Sequence, residues 1–267
     1  MKCEHVFYND LVEIRNLRPE KWPDIVPDFE LYVKSEYCNP IKIKEHDKIV
    51  GIGTSILFDK TSWIAHIIVD KAFRQRGIGS QIVHNLMADL SNNAIDTCSL
   101  IATELGKPIY KKAGFRVVTE YTFLIRDKPW LDGLVSINVK PYIENYRLRI
   151  LELDKRISGE NREWLISLFI SNSVVYIKND VVQGYYLPDF KEGLIFADSD
   201  ETGLELMKYK YSKIDKAVLP SDNIVGVNYL KNHGFIEASV KGTRMIYGKN
   251  IDWNPKNIFS RIGGNFG

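Results

Sequence analysis

Arg74-Gln75-Arg76-Gly77-Ile78-Gly79 is the run in this chain whose residue types and spacing best suit chemistry. Arg-x-x-Gly-x-Gly followed at once by an apolar-periodic stretch describes a loop entering a helix. Glycines let backbone amides approach bound oxygens, and a helix N-terminus beside arginines supplies positive potential. The run therefore suits a pyrophosphate, with Ser80 as a further hydroxyl donor. Two other phosphate loops fail on residue type. A dinucleotide turn needs a third glycine where Ile82 stands and a strand leading straight into it. A nucleoside triphosphate loop needs Gly-Lys-Ser/Thr, whereas Ser80-Gln81 follows Gly79. On this run alone, a tight turn whose solvated arginines cap a core helix is the competing reading.

The elements that must position the run can be read from periodicity. Residues 12–15 read as a short strand, followed by an acidic, aromatic helical stretch broken by Pro23 and Pro27 and ending near Asn39-Pro40. Residues 41–44 alternate strictly and, with 49–58 across His46-Asp47-Lys48, predict a hairpin. Residues 63–69 form a further apolar strand ending at Asp70. Ile78, Ile82, Val83, Leu86, Met87 and Leu90 recur at helical spacing until Ser91-Asn92-Asn93. A strand at 97–102, a short helix at 108–112 closed by a left-handed Gly114, and extended structure over 115–125 complete one unit.

Beyond Pro129-Trp130 the pattern restarts. It predicts a helix through Tyr146, Leu148, Ile150, Leu151 and Leu153, another around 164–169, and hairpin-like strands at 174–177 and 182–187. Ile109-Tyr110-Lys111-Lys112-Ala113-Gly114-Phe115 repeats weakly as Tyr229-Leu230-Lys231-Asn232-His233-Gly234-Phe235, which marks the halves as diverged copies of one fold. A length of 267 residues fits two modest domains, placed at 1–128 and 129–267.

Thirty-six basic side chains nearly balance 34 acidic ones, so no global field attracts nucleic acid or an anionic membrane, and any anion site must be local. Cys3, Cys38 and Cys98 are too few and too scattered for a disulfide framework or a zinc cluster, which fits a reducing cytoplasm and no metal. No leading apolar core and no run of membrane-spanning length occurs, so export and insertion are not expected.

Val69-Asp70-Lys71-Ala72-Phe73-Arg74-Gln75-Arg76-Gly77-Ile78-Gly79-Ser80, followed by Ala102-Thr103-Glu104-Leu105-Gly106-Lys107-Pro108-Ile109-Tyr110-Lys111-Lys112-Ala113-Gly114-Phe115, resembles motifs A and B of the GNAT N-acetyltransferase superfamily. The resemblance covers about residues 12–126. It implies an α/β (α+β) fold: a mixed, mostly antiparallel sheet flanked by helices, splayed between the strand ending at Val69 and the strand ending at Ala102. Acetyl-coenzyme A would lie in the split as co-substrate. Ile67, Ile68 and Val69 would meet its pantetheine arm and Arg74, Gln75, Arg76, Gly77, Ile78, Gly79 and Ser80 its pyrophosphate. Thr103, Lys107 and Tyr110 complete the implied contact set. The second half, through Leu153-Asp154-Lys155-Arg156-Ile157-Ser158-Gly159-Glu160-Asn161-Arg162 and Arg244-Met245-Ile246-Tyr247-Gly248, is similar to the degenerate GNAT-like C-terminal domain of YitH-type two-domain acetyltransferases. Where a phosphate loop would sit it has Ala197-Asp198-Ser199-Asp200-Glu201-Thr202-Gly203, whose carboxylates repel a pyrophosphate but suit helix capping. One cofactor per chain is expected.

Acyl transfer to an amine needs a neutral nitrogen, a seat for the oxyanion and a proton for the departing thiolate. A backbone amide at Val69 or its neighbour suits the oxyanion. Tyr110, four residues before Gly114, stands where the resembling family places a proton-donating tyrosine; packing as a core aromatic is the alternative. His66 is the one titratable group on its strand. Strict alternation puts it on the face of Ile64 and Ile68, where pairing in the core competes with catalysis. Glu104 follows the other splayed strand and could hold a water or the acceptor, or stand solvated. No general base is legible. Asp154 and Arg162 read either as acceptor-binding groups or as charges spaced too widely to pair across one helical turn. Trp22, Phe29, Tyr32 and Tyr37 either wall an acceptor pocket or pack a helix face. The 261–267 tail reads as flexible.

The expected activity is acetyl-coenzyme A-dependent N-acetylation of a small-molecule primary amine by a monomer or homodimer, with no nucleic acid or membrane partner. A non-catalytic acyl-coenzyme A sensor and a protein or peptide N-acyltransferase are the alternatives.

Overall fold

The computed structural model describes residues 2–20, 22–127 and 135–267. They form two compact units. The first holds Met1–Val117, Met245–Lys249 and Phe266; the second holds Val118–Arg244, Asn250–Asn265 and Gly267. The boundary expected at 128/129 lies outside the described residues. The division needs more than one cut, because a late strand segment is built into the first unit.

The first unit contains β1 (Lys2–His5), α1 (Leu11–Ile14), α2 (Val26–Lys34), β2 (Cys38–Glu45), β3 (Lys48–Phe58), β4 (Thr61–Val69), α3 (Ile78–Asn92), β5 (Thr97–Ala102) and α4 (Lys107–Lys112). Its strands run in the order β1-β2-β3-β4-β5. All neighbours are antiparallel except β4 and β5. The late segment follows beside β5, where Lys249 N donates to Asp96 O at 3.1 Å and Thr97 Oγ1 donates to Lys249 O at 2.9 Å. The sheet is therefore mixed and mostly antiparallel.

Packing of α3 on this sheet fixes the phosphate-type loop at its head. The stripe Ile78, Ile82, Val83, Leu86 and Leu90 is buried with Ile41, Ile43, Val50, Ile64, Cys98 and Leu100. Each such side chain contributes about 1.5–3 kcal/mol on burial. Gly51 and Gly53 of β3 let the helix approach. A methyl group on Gly53 would fall 2.6 Å from Ile82 Cγ2 and 2.7 Å from Ile67 Cδ1. Gly53→Ala should accordingly destabilise the protein by about 1–3 kcal/mol through overpacking, read as a lower urea midpoint at unchanged slope.

Two local expectations are corrected here. Residues 12–15 are helical rather than extended, because Leu11, Ile14 and Leu17, three apart, bury one side of α1 and the 3-10 turn after it. Asp10 braces the start, accepting from Phe7 N at 2.7 Å and from the buried Lys42 Nζ at 2.5 Å. The following helix is opened, not broken, by Pro27, which occupies its first turn. It ends at Lys34, so Asn39 and Pro40 already belong to β2, where Pro40 accepts from Val6 N at 2.9 Å.

The remaining elements are β6 (Arg116–Ile125), all but its first two residues in the second unit, then β7 (Val139–Pro141), α5 (Arg147–Ser158), α6 (Glu163–Ser167), β8 (Val174–Lys178), β9 (Val181–Leu187), β10 (Leu194–Ala197), α7 (Asp200–Tyr211), β11 (Lys216–Pro220), α8 (Ile224–Asn232), β12 (Ile236–Glu237), β13 (Gly242–Gly248) and β14 (Ile258–Ser260). A five-stranded antiparallel sheet runs β14-β10-β9-β8-β7, while β11 and β12 pair with β6. Leu206, Met207, Tyr211, Leu219, Leu230 and Phe259 are central to its core.

The repeat seen in the sequence is one local structure used twice. Gly114 (φ 93°) and Gly234 (φ 84°) are both left-handed. Gly114 N donates to Lys111 O at 3.1 Å and Phe115 N to Tyr110 O at 3.0 Å; Gly234 N donates to Lys231 O at 3.2 Å and Phe235 N to Leu230 O at 3.1 Å. Both phenylalanines are buried.

The terminal stretch expected to be flexible is packed. Arg261 N donates to Val218 O at 3.1 Å, Ile262 N to Gly267 O at 2.8 Å and Glu192 N to Ile262 O at 2.9 Å. Arg261 grips Glu192 through two 2.7 Å bonds, and Ile262, Asn265 and Phe266 are buried. Among the described residues, no helix is long and apolar enough to cross a membrane.

Candidate active site

β4 and β5 pair over three rungs only, Thr61↔Thr97, Ser62↔Cys98 and Trp63↔Ser99. Beyond them the strands separate, so the peptide groups of Ile64 to Val69 on that edge have no rung to Leu100 through Ala102. This is the expected splay. Ile67, Ile68 and Val69 lie on the open part, while their strand stays paired to β3 through Ile52↔Ile68 and Gly51↔Val69.

The loop after β4 curls through two left-handed residues, Gln75 (φ 62°) and Gly77 (φ 79°), before α3 begins. The ladder of α3 starts with Gln81 N donating to Gly77 O at 3.0 Å. The amides of Ile78, Gly79 and Ser80 thus have no acceptor within the helix, and they point out of its N-terminus with the helix dipole behind them. A Cβ on Gly77 would meet nothing within 4 Å, while one on Gly79 would lie 3.3 Å from Ile109 Cδ1. Gly77 therefore faces open space and Gly79 a close neighbour on α4.

The arginines are engaged elsewhere. Arg74 Nε donates to Val69 O at 3.2 Å. Arg76 forks onto Glu45, Nη1 donating to Oε2 at 3.0 Å and Nη2 to Oε1. That pairing holds the Glu45 carboxyl below its ordinary range. Anion-binding capacity in this state resides chiefly in backbone amides.

On the far side of the split, Thr103 Oγ1 accepts from Gly106 N at 3.2 Å and shapes the turn into α4. Glu104 is largely exposed and lies 3.8 Å from Lys107 Nζ, a solvated loop pair. Tyr110 packs edge-on against Phe115 with ring centroids 6.0 Å apart. Burial, with the Cys98 thiol adding to it, raises its phenol above the ordinary tyrosine value. The repeat places Leu230, fully buried, at the position of Tyr110. An aliphatic residue thus serves the same packing role in the second unit, and the Tyr110 hydroxyl is not required by the motif.

His66 departs from the alternation that put it with Ile64 and Ile68. Register shifts between Ile52↔Ile68 and Thr54↔Ala65, leaving two residues of β4, His66 and Ile67, against Gly53 of β3. His66 occupies this bulge at φ 51°. Its side chain turns to α2, with Nδ1 3.0 Å from Tyr32 Oη and Nε2 3.5 Å from Asp28 Oδ2. Rings of Phe29 and Trp22 stand at 5.6 and 6.2 Å. Of the four aromatic residues read as a wall, Phe29 and Tyr32 are buried core, while Trp22 and Tyr37 are part-exposed.

The second unit repeats the order strand, loop, helix, strand, helix through β10, α7, β11 and α8, yet it closes the equivalent opening. β14 pairs with β10 on one side, and Arg261 N reaches β11 on the other. At the head of α7, Ser199 Oγ accepts from Thr202 N at 3.3 Å. Asp198 is held by Arg149 and Arg156, and Glu201 by Lys178 at 2.7 Å. A methyl group on Gly203 would fall 2.2 Å from the Phe259 ring. Where Gly77 faces open space, the glycine here is covered by aromatic carbon.

Asp154 and Arg162 pair directly after all. Gly159 (φ 73°) ends α5 and reverses the chain, so Arg162 Nε and Nη2 donate to Asp154 Oδ1 and Oδ2 at 3.0 and 2.6 Å, and Tyr185 Oη donates to Oδ2 at 2.5 Å. All three side chains are buried, which excludes them from direct contact with an acceptor in this state. Sequence reasoning missed Asp28, Glu45, Gly51 and Gly53. Only the glycines carried a signal, two of them spaced by two on one face of a strand.

Residues 18–123 match the family model described as an acetyltransferase (GNAT) domain. No curated protein sequence matches the chain. Among solved structures, a candidate acetyltransferase from Pyrococcus horikoshii is similar with a TM-score of 0.83 at 20% identity, covering 100% of this chain and 95% of that one. A candidate acetyltransferase from Thermoplasma acidophilum gives 0.59 at 11% identity, covering 93% and 100%. A GCN5-related N-acetyltransferase from Anabaena variabilis gives 0.58 at 15% identity, covering 93% and 73%. At these identities the likeness is one of fold. The family match falls on the stretch that contains the split sheet and the amide loop.

Proposed function

We propose that the first unit transfers an acetyl group from acetyl-coenzyme A to the primary amine of a small molecule, and that the second unit binds no cofactor. The observation that carries this reading is the juxtaposition of a sheet opened after three rungs with a helix N-terminus whose amides face open space beside Gly77. The groups present fit the co-substrate. Free amides at Ile78, Gly79 and Ser80 suit the pyrophosphate, and the unpaired edge of Ile67 to Val69 suits the amides of a pantetheine arm.

When bound, the co-substrate supplies the thioester carbonyl carbon. The chain's part is positioning and proton handling. An edge amide at Val69 or its neighbour donates to the carbonyl oxygen as charge gathers there. Tyr110, whose phenol is shifted above the ordinary tyrosine value, holds the proton that the departing sulfur needs. Glu104, exposed and near Lys107, is a weaker candidate for any proton role.

Release of free thiol from acetyl-coenzyme A with a panel of amines, covering amino acids, polyamines, aminoglycosides and short peptides, tests the activity. Tyr110→Phe should lower kcat by about 10²–10³-fold while the dissociation constant for coenzyme A stays within about twofold. Coenzyme A binding without turnover on any amine would favour a non-catalytic sensor module, and turnover unaffected by this change would remove Tyr110 as the proton donor. Transfer to peptides alone would replace the small-molecule acceptor with a protein one.

A further inference from the structure

The turn between β2 and β3 reaches the amide loop with one charge from each of its arms. Glu45 and Lys48 face each other on the last rung of that hairpin. Lys48 Nζ donates to Asp70 Oδ2 at 2.7 Å where the loop begins, and Arg76 forks onto Glu45 where it ends. Phe73 lies between the two pairs, its ring centre 5.1 Å from Lys48 Nζ and 5.2 Å from the Arg76 guanidinium.

The two pairs differ in what they hold. Asp70 fixes the shape of the loop: its N–H donates to Val50 O at 2.9 Å, and its carboxylate also accepts from Ala72 N at 2.9 Å. Phe73 N donates to Asp70 O at 2.9 Å and Arg74 Nε to Val69 O at 3.2 Å. None of these bonds involves Arg76. Its side chain is 46% exposed, so it can change rotamer without displacing the core. It also adjoins Gly77, where the amides of α3 open. A guanidinium forks onto phosphate as readily as onto carboxylate, so the donors that now hold Glu45 suit either anion.

We infer that Glu45 competes with the phosphates of the co-substrate for the Arg76 guanidinium, and thereby sets how tightly acetyl-coenzyme A and its thiol product are retained. The inference rests on the transferase reading and adds to it an affinity-setting residue that lies outside the loop. Arg76 exchanges one doubly bonded anion for another as the pyrophosphate arrives, and returns to Glu45 as the product leaves. Glu45, still 22% exposed, is left to water in the meantime. Because an anion is given up for each one gained, the net effect on affinity is a factor of a few.

The test is calorimetry with coenzyme A at low ionic strength on the full chain as wild type, Glu45→Gln, Arg76→Gln and the double variant. Glutamine keeps the length of the side chain and removes its charge. Glu45→Gln should bind coenzyme A about three- to fivefold more tightly, with a correspondingly slower release in stopped flow. In the Arg76→Gln background the same change should alter the dissociation constant by less than about 1.5-fold, because the pair acts as a unit. Tightening that persists without Arg76 would reduce Glu45 to through-space repulsion and overturn the competition. Weaker binding in Glu45→Gln would show that the pair only braces the loop, and unchanged binding that it has no part in affinity; either result overturns the assignment. A wild-type chain with no affinity for coenzyme A would instead sink the co-substrate reading, and the competition with it.

Discussion

Gly77→Glu should weaken coenzyme A binding by at least about a hundredfold, or about 2.7 kcal/mol, while leaving the fold in place. The fold should survive because a Cβ at this position meets nothing within 4 Å, so the main local cost is holding a non-glycine residue at φ 79°, about 1–2 kcal/mol. Binding should fail for two reasons that act together. The new carboxylate brings negative charge against doubly charged phosphates. It is also attracted to the orphan amides at the head of α3, where it would take the donors the ligand needs. Gly77→Ala separates these causes from strain, since it carries the same left-handed cost without charge and should bind within about fivefold of wild type, or about 1 kcal/mol. Isothermal calorimetry with coenzyme A reads both, and thermal melting checks the fold. Unaltered affinity in Gly77→Glu would mean that the amide loop is not the phosphate seat.

Asp154→Ala should cost about 3–5 kcal/mol of stability, a large share of what a folded domain has. Removing the carboxylate leaves the Arg162 guanidinium buried without its bidentate acceptor and takes the Tyr185 hydroxyl's partner at the same time. Arg162 stays fully charged in the folded state: although burial alone would lower its pKa, the Asp154 charge and hydrogen bonds raise it above the ordinary arginine value. The charge cannot be shed, so the variant must bury it or open the structure around α5. Replacing both partners by apolar residues, Asp154→Leu with Arg162→Met, should recover only part of the loss, since it removes the uncompensated guanidinium but leaves the Tyr185 hydroxyl without Asp154 and the buried Glu160 carboxylate without the Arg162 charge. Urea unfolding of the three proteins provides the measurement. A loss under about 1 kcal/mol for Asp154→Ala would show that water reaches the pair and that it is not sealed.

The two units make one physical comparison. In the first, a glycine at the loop meets open space and the strands on either side part company. In the second, β14 occupies the corresponding gap, Phe259 covers Gly203, and Ser199 caps the helix that a phosphate would otherwise cap. One fold thus accounts for both a cleft and a filled core, according to whether the chain supplies its own occupant. The same logic separates Tyr110 from Leu230: similar packing at the foot of a left-handed glycine, with a hydroxyl only where the sheet is open.

What could be read from residue order alone was whatever neighbours in the chain decide. The α3 stripe, the β3 and β4 strands, the left-handed Gly114 and the amide loop at Gly77 all depend on contacts a few residues apart. Their periodicity and turn chemistry are therefore visible without coordinates. The rest depended on partners far away in sequence. One extra residue in β4 put His66 against α2 rather than among Ile64 and Ile68, and alternation counted along the strand has no means of sensing a bulge set by pairing with β3. Leu11 and Ile14 became helical because a tertiary face buried them. Asp154 met Arg162 only because Gly159 turned the chain back. A glycine-rich tail that looked free was packed because β11 and Glu192 offered it hydrogen bonds from 43 to 70 residues upstream. Local propensity decides which segments are helix, strand or turn; which side chains share a site is decided by long-range pairing, and that only the folded chain expresses.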